Sequence, residues 1–363
     1  MNPVPHIEEP ILLDGEAFTG SGLLAHCRNQ SEDPGLAPWL KELFDFIALF
    51  MDSPAGPVIQ RSSGSTGDPK TFSLSREAMV LSAQRTLQFF DLKRGERALL
   101  ALPVHYIAGK MMVVRALLGG LDLLPVEPSS RPLQKVHASI DFAAMVPLQI
   151  EESLNHGDPL ERISKLLIGG GELHPDTREA ISSLPATEVY ESFGMTETYT
   201  HFALKRISGP NPDSTFKLLE GVRAGLDPRG CLEVEIPGIT SGSLLTNDLV
   251  EINPRGDGFT WLGRFDNVIN SGGIKIIPEL LETQIGDLIG HECLVLPEAD
   301  RKLGSRLVLL VEFAGDPPVN KWLELLRNRL SNYELPRRIL AVESLPRNRS
   351  MKPDRTSARE LLL

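Results

Sequence analysis

A loop rich in glycine and hydroxyl residues is the part of the chain best suited to bind phosphate. Its chemistry-bearing residues are Ser62, Ser63, Gly64, Ser65, Thr66, Gly67 and Lys70. Backbone N–H groups and hydroxyls in such a loop can converge on phosphate oxygens, and the lysine adds positive charge. The loop is not the P-loop of kinases and GTPases, because Asp68 and Pro69 separate Gly67 from Lys70. A flexible turn between two strands is the alternative interpretation.

A second segment, residues 190–198, places the carboxylate of Glu197 beside Thr196. A carboxylate suits a hard cation such as Mg²⁺ that bridges phosphate groups. A capped, buried strand end is the plain structural alternative. The triplet Gly169–Gly171 follows a short apolar run, and taken alone it predicts only a loop.

The elements that must carry these segments alternate between short apolar runs and helical patterns. Strands are predicted at 97–103, 140–146 and 165–168, and helices at 38–51, 75–87, 110–119 and 148–155. Ser75 is a plausible N-cap of its helix. This alternation predicts an α/β fold with a mostly parallel sheet.

The pattern changes after residue 230. Residues 230–236 alternate with period two, as a half-buried strand does, and 243–252 and 258–261 predict further strands. Beyond Gly263 a compact α+β unit is predicted, with strands at 292–296 and 307–313 and a helix at 319–332.

Composition excludes several classes of protein. The net charge of −11 over 363 residues argues against a nucleic-acid partner, which requires a basic surface. The most apolar region, 98–126, is interrupted by charges, so no membrane span is predicted. The polar, acidic N-terminus does not look like a signal peptide, so we expect a cytoplasmic protein. The three cysteines lie far apart, which disfavours disulfides and a cysteine zinc site.

The order of these motifs resembles the acyl-adenylate-forming superfamily, which contains acyl-CoA synthetases, luciferases and peptide-synthetase adenylation domains. The matching segments, in the family's order, are 62–70, 169–172, 190–198, 246–248, 263–273 and 346–355. The resemblance implies a large N-terminal domain, 1–265, with mostly parallel sheets and a distorted β-barrel part. It also implies a small, mobile α+β domain, 266–363. Because few residues precede the phosphate loop, we expect the N-terminal subdomain to be shortened relative to the family, and a homo-oligomer could cover the exposed sheet.

The resemblance also assigns a nucleotide site. Besides the phosphate loop it contains Gly170, Gly171, Glu172, Ser192, Phe193, Gly194, Thr196, Asp248 and Arg264. Phe193 is expected beside adenine, Thr196 near the α-phosphate and Glu197 on Mg²⁺. Thr66 and Glu197 are expected to take part in catalysis.

Other family residues are assigned to the sugar, the hinge and coenzyme A. By resemblance, Asp248 holds the ribose hydroxyls and Arg264 contacts ribose or phosphate. The residue before Asp248 is Asn247, where the family has glycine, so the turn can differ slightly. Asp266 is expected to be the hinge, and Gly272 and Gly273 are expected to meet the pantetheine of coenzyme A.

The C-terminal segment 346–355 resembles the family's lysine motif, and Lys352 falls on the adenylation lysine. A point charge on a flexible stem suits the charge that develops on the α-phosphate. Met351 stands where the family has glycine, and Pro353 favours extended backbone at Lys352. An exposed basic tail is the alternative.

Two residues narrow the acid substrate. His105 occupies the place of the family's gating residue, although a core histidine would fit the same pattern. Arg115 lies on an otherwise apolar helix, where a charge requires a partner. That partner is either a protein carboxylate or a second carboxylate of the substrate.

The order His105, Gly109, Arg115 resembles the o-succinylbenzoate–CoA ligase subgroup, whose substrate is an aromatic dicarboxylate. Gly169 and the segment from Tyr199 through Thr200 to His201 are expected to line the acyl pocket. The resemblance implies an enzyme that uses ATP, Mg²⁺ and coenzyme A to convert a carboxylic acid into its thioester. The alternatives are another acyl- or aryl-CoA ligase and a catalytically silent nucleotide-binding regulator.

Overall fold

The computed structural model describes residues 10–52, 56–61, 71–171, 173–348 and 353–362. The chain forms two compact units, the first comprising residues 1–223 and 235–243 and the second comprising 224–234 and 244–363. A division into compact units does not measure motion, so the mobility of a domain that begins at residue 266 remains a prediction.

The elements of the first unit alternate along the chain as predicted. The strands are β1 (Ile11–Leu13), β2 (Glu16–Phe18), β3 (Val58–Arg61), β4 (Thr71–Leu74), β5 (Arg97–Leu100), β6 (Asp122–Pro125), β7 (Ile140–Met145), β8 (Ile163–Ile168), β9 (Glu188–Gly194), β10 (His201–Arg206) and β11 (Phe216–Leu218). The helices are α1 (Gly20–Ser31), α2 (Pro38–Asp52), α3 (Arg76–Phe89), α4 (Ile107–Gly119), α5 (Pro147–His156) and α6 (Pro175–Ser182), with 3₁₀ turns at Leu160–Arg162 and Thr196–Thr198.

These strands form a mixed sheet in the order β11-β10-β9-β8-β7-β5-β6-β1-β2. The pairs from β9 through β8, β7, β5 and β6 to β1 are parallel, and the β9–β10, β10–β11 and β1–β2 pairs are antiparallel. One core lies where α5 and α6 cover the central strands, and it includes Ile140, Ile150, Leu166 and Ile181. The predicted α/β fold with a parallel sheet is therefore confirmed.

A separate ribbon of β3 and β4 carries the predicted phosphate loop. The strands are antiparallel, and Arg61 pairs with Thr71 at the loop end of the ribbon. Residues 62–70, which hold every phosphate-loop residue predicted above, lie outside the described residues. Beyond β4, the Ser75 side chain accepts a hydrogen bond from the backbone N–H of Ala78, which confirms Ser75 as the N-cap of α3.

The remaining elements begin at residue 223. The strands are β12 (Arg223–Leu226), β13 (Cys231–Glu235), β14 (Leu244–Ile252), β15 (Gly258–Arg264), β16 (Ile269–Ser271), β17 (Ile274–Ile276), β18 (Cys293–Asp300), β19 (Gly304–Glu312) and β20 (Arg338–Val342). The helices are α7 (Pro278–Ile289), α8 (Val319–Arg327) and α9 (Arg355–Glu360), with a 3₁₀ turn at Phe265–Asn267.

The part expected to be a distorted barrel is an open sheet. Its strands follow in the order β12-β13-β14-β15, and the β13–β14 and β14–β15 pairs are antiparallel. A barrel closes only when its first and last strands pair with each other. Strands β12 and β15 do not pair in the described chain, so the expectation of a barrel-like part is corrected to an open antiparallel sheet.

The predicted α+β unit is confirmed near the C-terminus. In the sheet β18-β19-β20, alternate residues enter two cores, because successive side chains of a strand point to opposite faces. Val295 and Leu309 join Leu281 and Trp322 in one core, and Leu296 joins the small core that contains Ala358 of α9. Along the described ranges, no helix has the length and apolar character that crossing a membrane requires.

Candidate active site

Three of the predicted site segments follow parallel strands of the first unit. The segment with His105 follows β5, Gly169–Gly171 follows β8, and the Thr196–Thr198 turn follows β9. Because the carboxyl ends of parallel strands lie along one edge of a sheet, these segments share that edge. This is the usual position of ligand sites in open α/β sheets.

The glycine segment after β8 contacts the end of β9. The Ser192 hydroxyl donates a hydrogen bond of 2.9 Å to the carbonyl of Ile168. A Cβ at Gly169 would stand 2.5 Å from Ser192 Oγ, so a larger residue there would displace the Ser192 hydroxyl. Gly170 has φ +82°, a conformation that favours glycine, and Gly171 continues the segment. The structure thus brings Gly169, Gly170 and Ser192 together, while Glu172 lies outside the described residues.

Phe193 and Gly194 are held at the end of β9. The Phe193 ring packs edge-on against Phe202, at 5.7 Å between centroids, and against Phe216, at 5.3 Å. A Cβ at Gly194 would lie 2.2 Å from the carbonyl oxygen of Thr200. Glycine therefore allows the chain after the motif to fold back closely on β9.

The Thr196–Thr198 turn is fixed by its last residue. The hydroxyl of Thr198 accepts from the backbone N–H of Met195 at 3.0 Å and donates to the carbonyl of Thr200 at 2.7 Å. Thr198 is buried, whereas Glu197 is exposed. In the described ranges no group of three acidic, histidine or cysteine side chains could enclose a metal ion. A single outward-facing carboxylate fits Mg²⁺, which binds one or two carboxylates together with substrate phosphates.

The chain after this turn is bonded to α3. Tyr199 has φ +67° and ψ −40°, and its hydroxyl accepts a 2.9 Å hydrogen bond from the backbone N–H of Ser75. The hydroxyl of Thr200 is 2.7 Å from that of Ser82. The substrate role predicted for Thr200 remains a prediction, and its hydroxyl already has this protein partner.

Arg115 is a fully buried cationic side chain of the first unit. It is 2 % exposed on α4, and its Nε has no hydrogen-bond partner. No carboxylate of the described residues forms an ion pair with it, so the protein-carboxylate alternative has no partner among those residues. Burial lowers the pKa of this guanidinium to about 9.

His201 is a second buried basic group. Burial, and then the positive charge of Arg115, hold the pKa of His201 well below its ordinary value. Its Nε2 lies 3.3 Å from the hydroxyl of Thr86, which itself donates to the carbonyl of Ser82 at 3.2 Å. A hydroxyl that donates to Ser82 can accept from Nε2–H, so these contacts favour the neutral Nε2–H tautomer of His201.

His105 is half-exposed on the loop before α4. Its Nδ1 lies 3.2 Å from the carboxylate of Glu42, and its ring centroid lies 4.1 Å from that of Tyr106. Its backbone carbonyl accepts from Gln60 Nε2 at 3.0 Å and from Lys110 Nζ at 3.2 Å. The sequence interpretation missed this anchoring of the loop. Lys110, a lysine in the first turn of an apolar helix, is the sequence feature that could have indicated this anchoring.

In the second unit, Asp248 is oriented by its neighbours. It is 7 % exposed, and its carboxylate accepts from the indole N–H of Trp261 at 3.2 Å. Arg264 stands opposite Asp248 across the β14–β15 pair, and its NH1 is 3.6 Å from the same carboxylate. The two residues predicted to meet ribose are thus brought together, and Trp261 is an orienting residue that the motif did not reveal.

Asn247, which stands where the family has glycine, contacts the predicted hinge residue Asp266. Asn247 Nδ2 donates to the Asp266 carboxylate at 3.0 Å, and its Oδ1 accepts from Arg229 at 2.9 Å. Arg264 NH2 also donates to Asp266 at 3.2 Å. The hinge role of Asp266 itself remains a prediction.

Gly272 and Gly273 form the turn between β16 and β17 with φ +61° and +84°. Both values favour glycine, and the N–H of Gly272 donates to the carbonyl of Leu303 at 2.8 Å. The geometry explains why glycines occur at these positions, while their contact with coenzyme A remains a prediction.

Lys352 lies outside the described residues, but the chain on either side of it is anchored. Arg347 pairs with Pro353 in an antiparallel bridge, and the N–H of Asp354 donates to the carbonyl of Pro346 at 2.8 Å. Arg355 forms a bidentate ion pair with the buried carboxylate of Glu282, in which NH1 and NH2 lie 2.7 and 2.6 Å from the two carboxylate oxygens. Burial raises the pKa of Glu282, and the hydrogen bonds from Arg355 oppose that shift.

Comparisons with known proteins agree with this geometry. The chain is 26 % identical over 315 residues to the 2-succinylbenzoate–CoA ligase of Salmonella typhimurium, with 82 % of this chain and 67 % of that enzyme aligned. An acyl-CoA synthetase (AMP-forming)/AMP-acid ligase II-like protein from Dyadobacter fermentans is 36 % identical, with a TM-score of 0.63, covering 93 % of this chain and 97 % of that one. The o-succinylbenzoate–CoA synthetase of Bacillus subtilis, in complex with its acyl-adenylate intermediate, has the same fold. Its TM-score is 0.78 at 18 % identity, over 99 % of this chain and 98 % of that one.

The sequence profile of the family described as AMP-binding enzyme matches residues 40–228, which is more than half of the chain. That range includes the β3–β4 ribbon and the three segments at the carboxyl edge of the sheet. With these segments ordered as the sequence analysis expected, the chain belongs to the AMP-binding enzyme family.

Proposed function

We propose that this chain is an ATP-dependent acid–thiol ligase that converts o-succinylbenzoate into its coenzyme A thioester. The observation that carries the proposal is Arg115, a buried guanidinium without a described carboxylate partner. Burying an unpaired charge is costly, so such a residue is expected where a ligand completes the pair. The Salmonella relative is named for this reaction, which supports the same substrate.

In the first step, a carboxylate oxygen of the acid attacks the α-phosphorus of ATP. The new C–O–P linkage forms as the bond to pyrophosphate breaks. Lys70 and the hydroxyls of its loop are assigned to the phosphates, and Lys352 to the charge that develops at the α-phosphorus. Glu197 would hold Mg²⁺, which would offset phosphate charge.

In the second step, the sulfur of coenzyme A attacks the acyl carbon of the adenylate, and AMP leaves as the thioester forms. Asp248 and Arg264 are assigned to the ribose of the nucleotide in both steps. Gly272 and Gly273 are assigned to pantetheine, and Asp266 to the change of domain orientation between the steps.

The substrate needs two carboxylates in this scheme, and they have different fates. One reacts at the α-phosphate, and the other pairs with Arg115. His201 stays neutral beside Arg115 because of burial and the charge of that residue. Of these two buried basic groups of the described chain, only Arg115 is charged, which suits an acid with one distal carboxylate.

Pyrophosphate exchange into ATP, measured with a panel of acids, tests the proposal. We expect o-succinylbenzoate to support exchange far better than benzoate, which lacks the second carboxylate. Exchange with a monocarboxylate but not with o-succinylbenzoate would show a different acyl- or aryl-CoA ligase. ATP binding without exchange for any acid would instead identify a silent nucleotide-binding protein.

A further inference from the structure

The Thr196–Thr198 turn carries Glu197 and is called the Glu197 turn below. The three residues that follow it are hydrogen bonded to one face of α3 and to its N-cap. The Tyr199 hydroxyl contacts the N–H of Ser75, the Thr200 hydroxyl contacts Ser82, and His201 Nε2 contacts Thr86. Partners seven and four residues apart lie on the same side of a helix. The segment therefore lies along α3 and is fixed to it at three points.

Tyr199 is the strained member of this segment. Its φ of +67° is rare for a residue with a side chain, and an aromatic side chain cannot form the local hydrogen bond by which Asn or Asp compensates this conformation. Such a conformation persists only where surrounding contacts over-determine it, and it is concentrated at functional sites. Tyr199 is 7 % exposed, and its hydroxyl reaches the point where β4 ends and α3 begins.

That point is significant because β4 is the second strand of the ribbon that carries the predicted phosphate loop. Ser75 directly follows β4, and Tyr199 directly follows the Thr196–Thr198 turn. One hydrogen bond therefore joins the two parts of the chain to which the phosphates and Mg²⁺ are assigned.

We propose that Tyr199 is a positioning residue for adenylation, which fixes the Glu197 turn relative to the phosphate-loop ribbon through its bond to Ser75. The inference rests on the proposed function, because it assumes that both segments act on the triphosphate of ATP. Pyrophosphate leaves after the first step, so the second step no longer requires the phosphate loop and the Glu197 turn to be aligned on one triphosphate. Loss of the Tyr199 hydroxyl should therefore affect adenylation selectively.

The test is Tyr199→Phe, which removes the hydroxyl and keeps the ring. We expect KM for ATP in pyrophosphate exchange to rise about fivefold, as loss of one ordinary hydrogen bond predicts. Thioester formation from supplied acyl-adenylate should keep its rate. The matched control is Tyr190→Phe, because the Tyr190 hydroxyl contacts only the exposed Glu188 carboxylate at 3.1 Å among the described residues. We expect that control to behave as the unaltered protein.

Hydrogen exchange gives a readout that does not depend on activity. The Ser75 amide should be protected in the unaltered protein and should exchange faster in Tyr199→Phe. An unprotected Ser75 amide in the unaltered protein would overturn the proposal, as would an equal loss of both half-reactions in the variant. Absence of acid-dependent exchange in the unaltered protein would contradict the proposed function instead, and the amide measurement would still test the bond.

Discussion

Arg115 and His201 are two basic side chains buried together in the first unit, and the charge of Arg115 disfavours a second charge on His201. Burial is the larger cause of the low pKa of His201, and Arg115 adds to it. Thr86 holds the imidazole through Nε2. Protonation at this position therefore opposes folding, which gives the protein a predictable dependence on pH.

The first prediction concerns stability in mild acid. In the unfolded chain His201 takes up a proton as the pH falls below about 6.5, whereas the folded protein keeps it neutral. The free energy of unfolding contributed by His201 is thus complete above that pH and decreases below it, by at most about 1.4 kcal/mol per pH unit. Chemical denaturation at pH 7.5 and pH 5.5 should show a smaller loss in His201→Gln than in the unaltered protein. The exposed His137→Gln variant is the control, and a pH response equal in both variants would contradict the prediction.

The second prediction concerns selection of the acid. Arg115→Met should raise KM for o-succinylbenzoate by about tenfold to a hundredfold, the range for a lost hydrogen bond to a charged group. Exchange with benzoate should change little, because benzoate has no distal carboxylate. Arg131→Met is a suitable control, since Arg131 pairs with Asp158 at 2.7 Å and has no assigned role in the pocket. A parallel loss with both acids would show that Arg115 serves the pocket structure alone.

The third prediction concerns the ribose. Asp248→Asn keeps an acceptor for the indole N–H of Trp261 but removes the negative charge that ribose hydroxyls would meet. We expect KM for ATP to rise by about tenfold, as loss of a charged hydrogen bond predicts, with KM for the acid unchanged. The exposed Asp257, hydrogen bonded to Asn253 at 2.6 Å, gives the matched variant Asp257→Asn. The assignment fails if KM for the acid rises as much as KM for ATP.

The fourth prediction separates the two half-reactions. Lys352→Ala should abolish pyrophosphate exchange and largely spare thioester formation from supplied adenylate, because the lysine acts on charge that develops at the α-phosphorus. Exposed Lys321 on α8 provides the control substitution Lys321→Ala. If both half-reactions decline together in Lys352→Ala, the adenylation role is wrong.

Much of the fold was predictable because local patterns determine it. Alternation of apolar runs and helical patterns indicated the parallel strands, and a serine before an amphipathic run indicated the cap at Ser75. The expected barrel was wrong in form, since strand alternation shows that a segment is half-buried but not whether the edge strands pair. The end of α8 at Arg327 rather than Asn332 reflects the weak definition of helix boundaries by periodicity.

The site was predictable only where a motif names its residues. The bond between Ser75 and Tyr199 spans 124 positions, and no local pattern indicates such a distant contact. Trp261 likewise reaches Asp248 only because β14 and β15 pair in one register. For Arg115, the sequence showed a charge in an apolar helix but left its partner open. The structure shows no ion pair between Arg115 and a described carboxylate.

The burial of Arg115 also affects how substrates of this protein can be screened and how its thermal stability can be raised. Arg115 has no carboxylate partner among the described residues, and a buried cation of that kind lowers stability. The protein is therefore expected to melt at a higher temperature with a bound diacid than with a bound monoacid whose reacting carboxylate binds equally well. A screen of acids by melting temperature could then rank substrates before any turnover is measured. For the same reason, selection for heat resistance alone would favour an apolar residue at this position and would remove the distal-carboxylate preference with it.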